Sequence, residues 1–169
     1  MDPIAHASIG LITKSIVPKP ALWALLAATQ VPDLLSFGFM AAGMEYGAVT
    51  QLDFEHGLRY SSLPSIAWSH GLLMCAVWSL VAAAIAFLFF RDRRTSILVG
   101  LMVLSHWALD VIVYPYMPLF FDGSPWIGLG LITSGPGLIA GVLMEIVLIA
   151  GGITAYFVAR KRIAAPARK

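Results

Sequence analysis

Six ionisable side chains lie inside the apolar stretches of this 169-residue chain: His6, Asp33, His70, His106, Asp110 and Glu145. A charge at mid-bilayer costs about 2.5–3.5 kcal/mol on insertion scales, so such residues are kept for function and need partners. His106 and Asp110 are four apart and share one helix face. Imidazole with carboxylate is a ligand set for zinc or another divalent metal. His6, Asp33, His70, His106 and Asp110 are therefore the candidate metal ligands, for one or two ions. His6 and Glu145 are the candidate catalytic groups. Three chemistries stay open on residue types alone: a metal site, a haem held by two histidines such as His70 and His106, and a structural clamp or proton relay. Asp53, Glu55 and His56 read as a solvated group in a loop.

The elements that must position these residues are helices in lipid. Hydrophobic residues make up 59% of the chain and charged residues 12%, against roughly 25% charged in a soluble domain. The apolar runs are continuous rather than alternating, which excludes a barrel, and backbone groups in lipid must pair internally. The fold class is all-α: a single multi-pass membrane domain over residues 1–169, with four to five hydrophobic helices. The net charge of +2 comes from short basic clusters beside apolar runs and gives no nucleic-acid signal. Cys75 is the only cysteine, which excludes an intramolecular disulfide. Met1-Asp2-Pro3 lacks a basic stretch, which argues against a cleaved signal peptide.

Five apolar segments follow from the sequence: Ile4–Val17, Ala21–Gly43, Pro64–Phe90, Thr95–Met117 and Gly137–Ala159. The first rises only about 21 Å as a helix, short of the ~30 Å hydrocarbon core, and reads as partial or re-entrant. Pro32 before Asp33 predicts a kink that aims the carboxylate and frees a carbonyl. Ten of the eleven lysines and arginines fall on one side if spans alternate; only Arg59 falls opposite. The positive-inside rule makes that side, and the C-terminus, cytoplasmic. Loops Met44–Leu63 and Pro118–Pro136 then face outward, and the second is placed to act as a lid.

Counting from the basic ends, His6, Asp33, His106, Asp110 and Glu145 lie about 18–24 Å up the helices, and His70, at about 31 Å, is the outlier. Ser69 and Ser105, each preceding a histidine, are candidates to support them.

The order of motifs resembles the bacterial membrane-bound metal-dependent hydrolases described as LexA-binding and inner-membrane-associated. The matching residues are His6 in Ala5-His6-Ala7-Ser8-Ile9-Gly10, then Pro32-Asp33, Ser69-His70, and Ser105-His106-Trp107-Ala108-Leu109-Asp110. The likeness runs from residue 6 to about residue 115. The order is also similar to part of the zinc-dependent phospholipase C site. By that likeness Asp33, His70, His106 and Asp110 would hold one metal, and Asp110 would bridge to a second near His6. The resemblance implies a hydrolase of the bacterial inner membrane with zinc as cofactor, the membrane lipid as surroundings, a lipid-like phosphodiester or ester as substrate, and a LexA-type protein as partner. The chain departs from both patterns. Leu35 replaces the second acid of Pro-Asp-x-Asp, Pro64-Ser65-Ile66-Ala67-Trp68 lacks a His-Arg pair, and Gly141 stands where a His-x-x-x-Glu step needs histidine.

Overall fold

The computed structural model describes residues 3–17 and 19–164. The chain is a helical bundle with two small hairpins at one end. The helices are α1 (Pro3–Ile16), α2 (Leu22–Thr29), α3 (Val31–Ala41), α4 (Ala67–His70), α5 (Leu72–Phe90), α6 (Arg93–Val113) and α7 (Gly135–Ala164). α5, α6 and α7 are long and apolar enough to cross a membrane, and α2 with α3 makes a fourth crossing if the bent pair is one span. Leu80, Leu88, Phe89, Leu143 and Val147 stay exposed on the flanks of α5 and α7. An apolar exterior of this extent suits lipid rather than water.

The second apolar segment is two helices meeting at Gln30 with a bend of 48°. Pro32 sits in the first turn of α3, where its missing N–H is tolerated and its ring prevents continuation from α2. Pro64–Phe90 is likewise not one helix. α4 ends at Gly71, whose ψ of 140° is extended, and α5 starts afresh. α6 begins earlier than Thr95, because Asp92 caps it by accepting from the Thr95 amide at 3.0 Å.

Close packing of small residues sets the helix spacing. α1 packs on α7 and α2, and α6 packs on α5 and α2. A Cβ at Gly152 would lie 2.8 Å from Ser8 Cβ, and one at Gly100 would lie 2.9 Å from the Ser79 carbonyl oxygen. Without a hydrophobic force between helices in lipid, such approach is what holds them together. An inner seam of Leu25, Ala28, Met102 and Val103 joins α2 to α6.

At the basic end, Lys19 pairs with Asp92 at 3.0 Å, tying the α1–α2 turn to the α5–α6 turn. At the opposite end the hairpin β1 (Thr50–Asp53) with β2 (Gly57–Tyr60) packs on α7, and β3 (Met117–Pro118) pairs with β4 (Trp126–Ile127). These short strands are absent from the reading of both segments as plain loops.

Candidate metal centre

Five of the six singled-out residues meet. His6 comes from α1, Asp33 from the first turn of α3, His70 from the end of α4, and His106 with Asp110 from one face of α6. Two sets of ligand atoms each fall within 4.8 Å: His6, His106 and Asp110; and Asp33, His70 and His106. Asp110 faces both sets. Its Oδ1 is 3.3 Å from His6 Nε2, while its Oδ2 is 3.2 Å from His106 Nε2 and 3.8 Å from His70 Nε2. Asp33 Oδ1 is 3.4 Å from His70 Nε2 and 3.5 Å from His106 Nε2.

His70 joins the cluster despite its greater count from Arg91. The count assumed one straight helix, and the break at Gly71 lets α4 fold in against α3. The break at Gln30 acts similarly. It leaves the Thr29 carbonyl to accept from His106 Nδ1 at 2.7 Å.

That last hydrogen bond tests whether a cation fits. A carbonyl only accepts, so His106 Nδ1 carries the proton. Nε2 of the neutral ring is then a bare lone pair. It is buried, lacks a hydrogen-bond partner, and points at two carboxylate oxygens. Lone pair against carboxylate in a buried site is repulsive unless a cation lies between. His6 stacks face to face on His106, with centroids 3.7 Å apart and planes 8° from parallel, and both His6 nitrogens also lack hydrogen-bond partners. Two stacked imidazolium rings would repel, so two neutral rings, each turned toward a cation, fit better.

The spacing agrees. Charge-assisted N–H···O bonds are about 2.7–2.9 Å, shorter than the gaps of 3.2–3.8 Å here. Ligands at about 2.0–2.2 Å from a tetrahedral zinc stand about 3.4 Å from each other. The buried histidine and aspartate groups can therefore hold a metal ion.

The site opens on a cavity of about 420 Å³, whose wall includes Asp33, His70 and Asp110. Beyond those three, the described lining residues carry no charged side chain; they are apolar with Ser36, Thr50, Tyr60, Tyr114 and Tyr116 as polar points. Residues 47–60 supply much of the cavity wall and residues 118–136 none of it, so the cover comes from the segment Met44–Leu63 rather than from Pro118–Pro136.

Glu145, on α7, belongs to neither set of ligand atoms. Asp53 and His56 pair with each other at 2.8 Å in the exposed hairpin, and this bond holds the Asp53 carboxyl below its ordinary value. Of the two serines, Ser69 contacts its histidine, with Oγ 2.7 Å from His70 Nδ1, while Ser105 donates back to the Met102 carbonyl. Glu45 carries no functional signal in the sequence. It is buried in the turn after α3 and accepts from Ser36 and Ser69. A single acid beside Gly43 and Tyr46 looks like an ordinary loop residue, and only the return of α4 encloses it.

No protein-family model, curated protein or solved structure matches the chain.

Proposed function

We propose that this chain is a metal-dependent hydrolase of the bacterial inner membrane, acting on a lipid-like phosphodiester or ester. The observation that carries the reading is the cluster of Asp33, His70, His106 and Asp110, of which Asp33, His70 and Asp110 reach the wall of a largely apolar cavity. Asp33, His70, His106 and Asp110 would hold one ion, most simply zinc, and His6 with the other oxygen of Asp110 would hold a second. A divalent ion in such a site lowers the pKa of a bound water and polarises a phosphoryl or carbonyl oxygen. The protein's part is to present bare nitrogens and carboxylates, and to exclude bulk water. The rest of the lining, apolar with a few neutral polar groups, favours a substrate with an apolar body and one polar group facing the cluster. The orientation with a cytoplasmic C-terminus belongs to the same proposal, supported by the Lys19–Asp92 contact that places two basic turns at one end.

One observation favours a second reading, metal holding without turnover. Neither Glu145 nor His6 is among the residues that line the cavity beside the cluster. A haem between His70 and His106 is disfavoured by their edge-on ring contact at 5.3 Å, which leaves no width for a macrocycle.

Purified protein in detergent decides among these. The hydrolase reading expects zinc by elemental analysis, its loss in His106→Ala, and cleavage of a fluorogenic lipid phosphodiester or ester in mixed micelles. Retained zinc with no cleavage of either substrate selects the metal-holding reading. Absence of any bound metal in the wild type refutes both.

A further inference from the structure

We propose that Glu45 is a positioning residue that fixes the tautomer of His70 through the Ser69 hydroxyl. What this does for a cation rests on the proposed function; the tautomer itself does not.

Glu45 is 4% exposed. Its Oε1 accepts from the Ser69 backbone N–H at 2.8 Å, and its Oε2 accepts from Ser69 Oγ at 2.7 Å and Ser36 Oγ at 3.1 Å. A backbone N–H is always a donor and a carboxylate always an acceptor. The single hydroxyl proton of Ser69 goes to Oε2 at 2.7 Å, since a carboxylate that close outcompetes the Ile66 carbonyl at 3.5 Å. Ser69 Oγ has only lone pairs left for His70 Nδ1, 2.7 Å away, so Nδ1 must bring the proton. Nε2 of the neutral ring is then bare, facing Asp33 Oδ1 at 3.4 Å and Asp110 Oδ2 at 3.8 Å. His106 reaches the same tautomer by another device, its bond to the Thr29 carbonyl. Two different anchors thus turn two bare nitrogens toward the same pair of carboxylates. Partners behind a metal-binding histidine commonly set its tautomer and its basicity in this way.

The chain of bonds has a direction, and Glu45→Gln reverses it. The amide oxygen must stay on the Ser69 N–H. The amide NH₂ then falls on Ser69 Oγ and Ser36 Oγ and can only donate. Ser69 accepts there and donates its own proton to His70 Nδ1, which moves the ring proton to Nε2. Ser69→Ala is the milder change: Glu45 keeps its backbone bond and Ser36, and only the relay is removed.

The test uses the full chain in detergent micelles, stripped of metal and held at alkaline pH so that the rings are neutral, with ¹⁵N-labelled imidazoles. Two-bond ¹⁵N–¹H correlation spectra report each histidine tautomer, and His70→Gln assigns the signal. The expected result is Nδ1–H in the wild type, Nε2–H in Glu45→Gln and a mixture in Ser69→Ala. Zinc affinity should fall about 10–100-fold in both variants, with helix content unchanged by circular dichroism. Nε2–H at His70 in the wild type overturns the proposal. So does a Glu45→Gln protein that melts earlier but keeps the wild-type tautomer, since that is a merely structural role. If Glu45→Gln does not fold, the wild-type and Ser69→Ala spectra still decide. If the wild type binds no zinc, the metal reading fails while the tautomer is judged on its own spectrum.

Discussion

Gly152→Ala adds one methyl group where α7 crosses α1, and two effects of opposite sign compete there. Replacing glycine by alanine inside a helix favours the helix by about 0.8–1 kcal/mol. The new Cβ, however, would lie 2.8 Å from Ser8 Cβ, 2.9 Å from the Ser8 carbonyl oxygen and 3.1 Å from Ser8 Cα. Carbon atoms pack best at about 3.5–4.0 Å, so the helices must part by about 1 Å. Every opposing atom is backbone or Cβ, with no flexible end to swing aside. Overpacking of this kind costs about 1–3 kcal/mol, which outweighs the propensity gain. Gly151 is the internal control: it is helical, and a Cβ there meets nothing within 4 Å. Thermal unfolding followed by circular dichroism should place Gly152→Ala below the wild type by up to about 8 °C, and Gly151→Ala above it by about 2–4 °C. The site reports independently. His6 lies two residues before Ser8 on α1, and a shift of about 1 Å exceeds the roughly 0.5 Å that a metal site tolerates. Bound zinc should fall in Gly152→Ala, with the Asp33–His70–His106 set retaining its ion. Equal melting points for the two variants together with full zinc content would refute this account of the α1–α7 contact.

Asp110→Asn keeps the side-chain shape and lets the amide donate to a bare histidine nitrogen, so the fold should survive. Zinc affinity should drop by more than the about 10–100-fold of an outer partner, measured by competition with a chromogenic chelator. Stripping metal from the wild type should remove about 2.7 kcal/mol of stability when free zinc had stood at 100 times its Kd, and the same treatment should leave Asp110→Asn unmoved. Leu80→Arg places a charge mid-way along the exposed flank of α5; an insertion cost of about 2.5–3.5 kcal/mol should appear as protein lost from carbonate-washed membranes. Asp92 tests pH. The Thr95 hydroxyl, then Lys19, then the Thr95 amide hold its carboxyl below the ordinary aspartate value of 3.8, at about 2. Its contribution is present above pH 3.8 and is lost as pH falls through about 2. Acid titration of the wild type should therefore show a loss of stability in that window that Asp92→Asn lacks.

The sequence by itself determined the membrane-like helical bundle and most of the cluster. Continuous apolar runs can satisfy their backbone only as helices, and carboxylates and imidazoles in such runs need one another. The four-residue step from His106 to Asp110 and the proline before Asp33 were legible because both act within one helix turn. Tertiary structure decided the rest. The position of His70 depends on the extended backbone at Gly71, which a residue count along a straight helix cannot anticipate. Glu45 becomes a buried partner of Ser69 only when α4 folds back on α3. Local pattern fixes which residues must leave lipid; only packing of one helix on another fixes which of them touch.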